Sequence, residues 1–311
     1  VPEENIASDP GEDLMGNMTF EPIEAAFGAR VRGVKVAEMD DEAFAELYDQ
    51  WLEFGLLIFP DQHLDREQQI AFAKRFGDLE FDYAEIGNMR KDGTLRPDDG
   101  TDDMMKVNRG NMGWHHDSTY MPVQAKGAVF SAEICPSEGG STGFADMRSA
   151  YDALDDATRE KIAELRAHHS LYHSQKKVGH DAKPVEDATV NIADDSGKTY
   201  GGYGFHDGPV SVHPLVKVHP ETGRKNLLIG RHAYDIIGMD SRKSERLLLD
   251  LVDFACAEDR TYHHQWEPGD AVVWDNRRLM HRATMWPFDQ PRRMWHSRIA
   301  GDPKSEGALK G

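Results

Sequence analysis

The chain has 311 residues, 36 basic against 55 acidic side chains and a net charge of −19. Such an excess of carboxylates argues against nucleic acid as a partner, because phosphate contacts are made by Lys and Arg. Two cysteines, Cys135 and Cys256, are too few for a disulfide framework, and no apolar run approaches a membrane span, so a cytoplasmic protein is expected.

Residues 1–18 are acidic and polar and lack the basic start and apolar centre of a signal peptide; they read as a poorly ordered lead-in. Residues 19–34 read as a strand and turn entering the fold. Phe44, Leu47, Trp51 and Leu52 recur at helical spacing, which predicts a helix over 40–55 with acidic residues in its first turn. "LLIFP" (56–60) predicts a buried strand stopped by Pro60, and 65–77 a second helix capped by Asp65 and ended by Gly77.

Residues 82–110 are polar and rich in Gly and Asp and read as an exposed loop. A strand is predicted at 127–134, then a glycine turn into another strand within 137–147, and helices at 147–154 and 157–167. Residues 173–210 are poor in aliphatics and long for a loop, which suggests an insertion or cover over a site, with Tyr200, Tyr203 and Phe205 as an aromatic wall. His168, His169 and His173 read as the end of a helix. Strands follow at 211–218 and 226–230, a helix at 242–256, a turn at 267–270, a strand at 271–275 and a polar stretch ending in His281. One domain over 19–302 with a C-terminal tail at 303–311 is the simplest division.

"GWHHDSTY" (113–120) sets two histidines before an aspartate. Alternate side chains of a strand share a face, so His115 and Asp117 would point one way and His116 the other. An imidazole and a carboxylate on one face make two legs of a metal site; a distal histidine would complete a facial triad with open positions, the arrangement of non-haem iron(II) oxygenases. The dipeptide pattern alone fits an ordinary hydrogen-bonded histidine as well.

Four blocks, "WHHDSTY", "EGGSTGFADMRSAYDAL", "WDNRRLMHRA" and "PRRMWHSR", occur in this order. Together they resemble the taurine and 2,4-dichlorophenoxyacetate dioxygenase family of iron(II)/2-oxoglutarate enzymes, over about residues 19–302. The second and third look closest to the phenoxyacetate branch. The resemblance implies a mainly β fold, a double-stranded β-helix or cupin-like jelly roll with added helices, and a homo-oligomer. It implies His115, Asp117 and His281 as iron ligands, and Thr142 as a holder of 2-oxoglutarate. A cosubstrate arginine is implied about eleven residues beyond the distal histidine. Arg292 stands at eleven and Arg293 at twelve, and the "MWHSR" that follows aligns better with Arg293. An arginine forks onto a carboxylate and a threonine adds a hydroxyl donor.

Related halogenases lack the carboxylate, so Asp117 points to hydroxylation with O2, succinate and CO2 as coproducts. Asn111 matches a substrate-contacting position of the taurine branch. Asp82 falls near a sulfonate-holding position and would repel a sulfonate. Counted from Arg293, the position that often grips the substrate anion is Ser297, with Arg298 adjacent but facing away on a regular strand. The expected substrate is a small organic acid, an aryloxyalkanoate by its resemblance to the phenoxyacetate branch; a sulfonate or amine-bearing substrate is the alternative. A noncatalytic jelly-roll binding module would not need all five groups. A zinc hydrolase would not need the Thr/Arg pair.

Overall fold

The structure is a computed structural model that describes residues 18–179 and 210–309. The first half runs β1 (Thr19–Pro22), β2 (Ala29–Arg32), α1 (Asp41–Phe54), β3 (Leu56–Phe59), α2 (Arg66–Lys74), β4 (Leu79–Gly87), α3 (Asp103–Gly110), β5 (Gly127–Ile134), β6 (Thr142–Asp146), α4 (Met147–Ala153), α5 (Asp156–Ile162), β7 (Arg166–His169) and α6 (Leu171–Lys177). The second half runs β8 (Ser211–Pro214), β9 (Val216–Val218), β10 (Lys225–Leu227), β11 (Ala233–Ile236), α7 (Ser241–Ala255), β12 (Thr261–His264), β13 (Ala271–Asp275), β14 (Leu279–Ala283), β15 (Arg293–Ile299) and α8 (Pro303–Glu306).

The major sheet has the order β1-β2-β3-β13-β5-β15-β4, and the facing layer includes the sheet β12-β6-β14. Every side chain of β3 is buried, because the strand is covered on both faces. Leu57 and Phe59 pack with Leu47, Trp51 and Phe72 of α1 and α2, while Leu56 and Ile58 pack inward with Phe130, Phe144 and Trp274. The same alternation runs through β13 and β15: Val273 and Ile299 face the helices, Val272 and Met294 the interior. Two sheets closed around one interior form the jelly roll, and the interior end of β15 and β14 is where the site sits.

Both predicted N-terminal helices form. Asp65 caps α2 in a capping box with Gln68, and Gly55 ends α1 at φ 75°, a conformation glycine adopts without strain.

Several expectations are corrected. The stretch 82–110 is not simply a loop: most of β4 and all of α3 lie in it, α3 being capped by Asp102. The second helix after β6 stops at Ile162, and His168 and His169 lie on β7, while His173 lies in α6. The predicted cover begins later than residue 173, since Leu171–Lys177 is helical. Most of that cover, with Tyr200, Tyr203 and Phe205, and nearly all of the lead-in lie outside the described residues. The C-terminal stretch is docked rather than loose: Gln124 N donates to Glu306 O and Leu309 N to Val212 O.

Candidate active site

His115 and His281 are joined by their backbones. Each N–H donates to the other's carbonyl, at 3.0 and 2.8 Å, in an isolated antiparallel bridge that extends the β6–β14 pairing. Asp117 follows two residues on, and one ligand atom from each of the three lies within 4.8 Å of the others. All three are buried. His116 points away, with Nδ1 2.7 Å from the Asn276 carbonyl, on the side alternation predicts, but the expected strand is a single bridge at His115 and Asp117 already begins a turn.

The local electrostatics suit a cation. His115 Nδ1 lies 2.8 Å from the Gly113 carbonyl, which can only accept; Nδ1 therefore carries the proton and Nε2 keeps its lone pair. Burial lowers the pKa of His115 to about 4 and that of His281 well below the usual imidazole range, so both are neutral. Burial alone would raise the Asp117 carboxyl, but Arg298 and the imidazoles around it, His296 first, together outweigh burial and hold the group below its ordinary value. Arg298 Nη2 donates to Asp117 Oδ1 at 2.9 Å, whereas the buried Oδ2 has no hydrogen-bond donor and lies 3.7 Å from His281 Nε2. Two neutral imidazoles and an anionic oxygen without a donor fit a divalent ion such as Fe(II). No other cluster of His, Cys, Asp or Glu among the described residues has this geometry.

The triad opens into a cavity of about 150 Å³. Thr142, at the start of β6, is 6 % exposed on its wall, and its Oγ1 accepts from the indole N–H of Trp266 at 2.9 Å.

The arginine register is corrected. Arg292 lines the cavity and Arg293 does not. Arg293 instead faces Glu85 (3.6 Å) and Glu133 (3.2 Å) on the outer side of β15. Arg292 is 2 % exposed; its Nε is 3.3 Å from the Gly140 carbonyl and its guanidinium lies 5.1 Å from the Trp286 ring centre. Burial lowers its pKa to about 10, and no carboxylate among the described residues pairs with it.

With Arg292 as origin, the inner face of the strand carries Met294, His296 and Arg298. Arg298 therefore faces the cavity, and the position four beyond the anchor is His296, not Ser297. Ser297 faces the other way, taking a hydrogen bond from Gln69 and donating to the Asp82 carbonyl. His296 was not foreseen. Its Nε2 lies 3.7 Å from Asp117 Oδ2, and burial followed by Arg298 lowers its pKa to about 3.

Asp82 does not line the cavity. Between His296↔Ala84 and Arg298↔Phe81 the β4 strand spends three residues against two of β15, a bulge that brings Phe81 and Ala84 to the inside. The expected repulsion of a sulfonate by Asp82 therefore has no basis. Asn111 does line the cavity, at the end of α3, and its carbonyl takes the N–H of Ala283. Arg282 is a wall residue too, its guanidinium 4.6 Å from the Trp114 ring centre. His232 also lines the wall, with Nδ1 2.9 Å from Ser174 Oγ; nothing in the sequence singled it out.

The "WDNRR" block divides its work. Trp274 packs against His281, their ring centres 4.8 Å apart. Asp275 binds Arg277 and His219, Asn276 binds the backbone of Asp117, and Arg278 forms a two-pronged pair with Asp146.

Residues 19–300 match the family described as "Taurine catabolism dioxygenase TauD, TfdA family". The (S)-phenoxypropionate/alpha-ketoglutarate-dioxygenase of Sphingobium herbicidovorans is 61 % identical, over 93 % of this chain and 96 % of its own. The enzyme of the same name from Delftia acidovorans is 55 % identical, over 95 % and 99 %. Among solved structures, AAD-2 in complex with Mn(II) and N-oxalylglycine superposes with a TM-score of 0.83 at 32 % identity, covering 95 % of this chain and 100 % of that one.

Proposed function

This chain belongs to the TauD, TfdA family and is an iron(II)- and 2-oxoglutarate-dependent dioxygenase, and from that premise we propose that it hydroxylates a 2-aryloxyalkanoate of the phenoxypropionate type. Each turnover would take one O2. One oxygen atom enters succinate as 2-oxoglutarate loses CO2, and the other becomes a hydroxyl on the substrate. If that carbon also bears the aryl ether, the product is a hemiketal that expels the phenol and leaves a 2-oxo acid.

His115, Asp117 and His281 would hold the metal. Bound iron supplies open coordination positions at which the keto acid and dioxygen are brought together for C–H oxidation. Arg292 and Thr142 would take the far carboxylate of 2-oxoglutarate. The observation that carries this is Arg292 itself, a guanidinium 2 % exposed with no carboxylate on it among the described residues. A cation so buried is costly unless an anion meets it. Arg298 holds Asp117 Oδ1 and leaves Oδ2 toward the histidines.

The substrate reading is supported by the walls. Phe81, Ile86, Val107 and Leu171 give the cavity an apolar side suited to an aryl ring. The two phenoxypropionate relatives favour the S enantiomer. A sulfonate or amine-bearing substrate stays as the comparator. We further propose a cytoplasmic homo-oligomer; the two free cysteines support the compartment and the family resemblance the assembly.

The test is formation of succinate and phenol with Fe(II), 2-oxoglutarate and air, on (S)- and (R)-2-phenoxypropionate, phenoxyacetate and taurine. Phenol release from the S acid, matched by succinate, is expected. Succinate stimulated by taurine alone would overturn the substrate reading.

A further inference from the structure

An indole N–H can only donate, so in the 2.9 Å contact of Trp266 Nε1 with Thr142 Oγ1 the threonine oxygen is the acceptor. The hydroxyl keeps its own proton to give away. Among the described residues nothing receives it, and the group sits on the cavity wall that Arg292 also lines.

Trp266 is itself held in place. Its ring stands edge-on to Phe130 (5.4 Å) and His264 (4.5 Å). The turn after it is closed by Glu267 N on Asp270 Oδ2, at 3.2 Å, and His264 Nε2 lies 3.1 Å from that same oxygen. On β12 and β6, His264 pairs directly with Thr142, which brings the indole two residues on within reach of the hydroxyl.

We propose that Trp266 is a positioning residue for the cosubstrate: by donating to Thr142 it makes that side chain a directed donor to the far carboxylate of 2-oxoglutarate. This rests on the reading of Thr142 as a cosubstrate anchor. A carboxylate only accepts, so a hydroxyl free to turn its lone pairs toward it would be a poor partner. The indole removes that option, and a donated hydrogen bond also polarises the hydroxyl it reaches.

The test is calorimetric titration of the Mn(II)-loaded full chain with 2-oxoglutarate in the absence of O2, so that no turnover occurs. Thr142→Val and Trp266→Phe should each raise Kd by about fivefold to tenfold, the worth of one hydrogen bond. The double variant should be no weaker than Thr142→Val alone. A wild-type Kd in Trp266→Phe beside a weakened Thr142→Val overturns the proposal and leaves the anchor standing. An equal Trp266→Phe loss in the Thr142→Val background also overturns it, since the indole would then act by packing. A wild-type Kd in Thr142→Val sinks the anchor and the proposal with it. If Trp266→Phe does not fold, the bond is read in the intact protein with ¹⁵N-labelled tryptophan. One indole resonance should move in Thr142→Val and on adding 2-oxoglutarate; a spectrum in which none moves overturns the proposal.

Discussion

Asn276 grips the backbone of Asp117 from both sides: its Oδ1 accepts the Asp117 N–H at 2.7 Å and its Nδ2 donates to the Asp117 carbonyl at 3.0 Å. A second hydrogen of the same amide reaches the Ala125 carbonyl at 2.9 Å. Asp117, the proposed carboxylate ligand, is thereby fixed through its main chain by a residue from the turn before β14, the strand of His281.

Asn276→Ala should therefore loosen the metal without touching it. Outer contacts of this kind change metal affinity by about 10-fold to 100-fold. Calorimetric titration with Mn(II) should show that loss, and unchanged affinity would show that Asp117 is held well enough by Arg298 alone.

Arg292 and Arg293 differ in what they face, so their removal should differ in kind. Arg292→Ala should raise the KM for 2-oxoglutarate by about 30-fold or more, the effect of truncating one side of a buried charged contact. Arg293→Ala removes pairs with Glu85 and Glu133 at the protein's outer side and should shift that KM less than about threefold. Steady-state kinetics at varied 2-oxoglutarate decides, and the reverse ranking would sink the register.

Asp275 predicts an acid limit of stability. Burial opposes its charge, but Arg277 and then His219 outweigh burial and hold its pKa far below that of a free carboxyl. A depressed folded-state pKa gives stability that is complete above the unfolded value of about 4 and is lost as pH falls through the folded one. Asp275→Asn should cost about 3–5 kcal/mol at pH 7 by leaving the buried Arg277 guanidinium without this carboxylate. Its Tm should fall less than wild type between pH 5 and lower values, so that the two curves converge on the acid side. Parallel melting curves would remove Asp275 from the acid transition.

Stripping the metal should leave the fold in place, because His115 and His281 are bridged by backbone hydrogen bonds and not by an ion. An ion present at 100 times its Kd adds about 2.7 kcal/mol. Chelation should then lower Tm by only about 4 °C, with turnover restored by Fe(II). Loss of the far-UV signal on chelation would contradict this.

How much of this could be read beforehand depends on range. The triad was legible because His115 and Asp117 obey a two-residue period and His281 sits in a recognisable block. β3 was legible because a strand buried on both faces is an unbroken apolar run. The count of eleven from His281 reaches Arg292, but the alignment of "MWHSR" favours Arg293, because a block match carries no information on which face of β15 each arginine takes. Asp82 was placed by resemblance alone in a stretch read as loop; β4 runs there, and its bulge, which no side-chain pattern announces, keeps Asp82 off the cavity wall. His232 comes from the turn before β11 and meets the site only through tertiary packing. The bond from Trp266 to Thr142 spans 124 residues, and only the pairing of β12 with β6 creates it.

Arg292 is held at its main chain by its amide N–H on Asn88 Oδ1, and at its side chain by Nε near the Gly140 carbonyl and by the guanidinium against Trp286. A guanidinium held by these two contacts has little room to follow a ligand. The triad at the other end is equally set, by the bridge of β14 to His115. With the proposed roles, the span between them would act as a gauge of molecular length. Oxaloacetate, one methylene shorter, would chelate at one end and fall short of the arginine. 2-Oxoadipate, one methylene longer, would have to buckle to fit. On the proposed roles of Arg292 and the triad, the chain length of the keto acid would be selected by these two ends of the scaffold, whatever substrate occupies the apolar side.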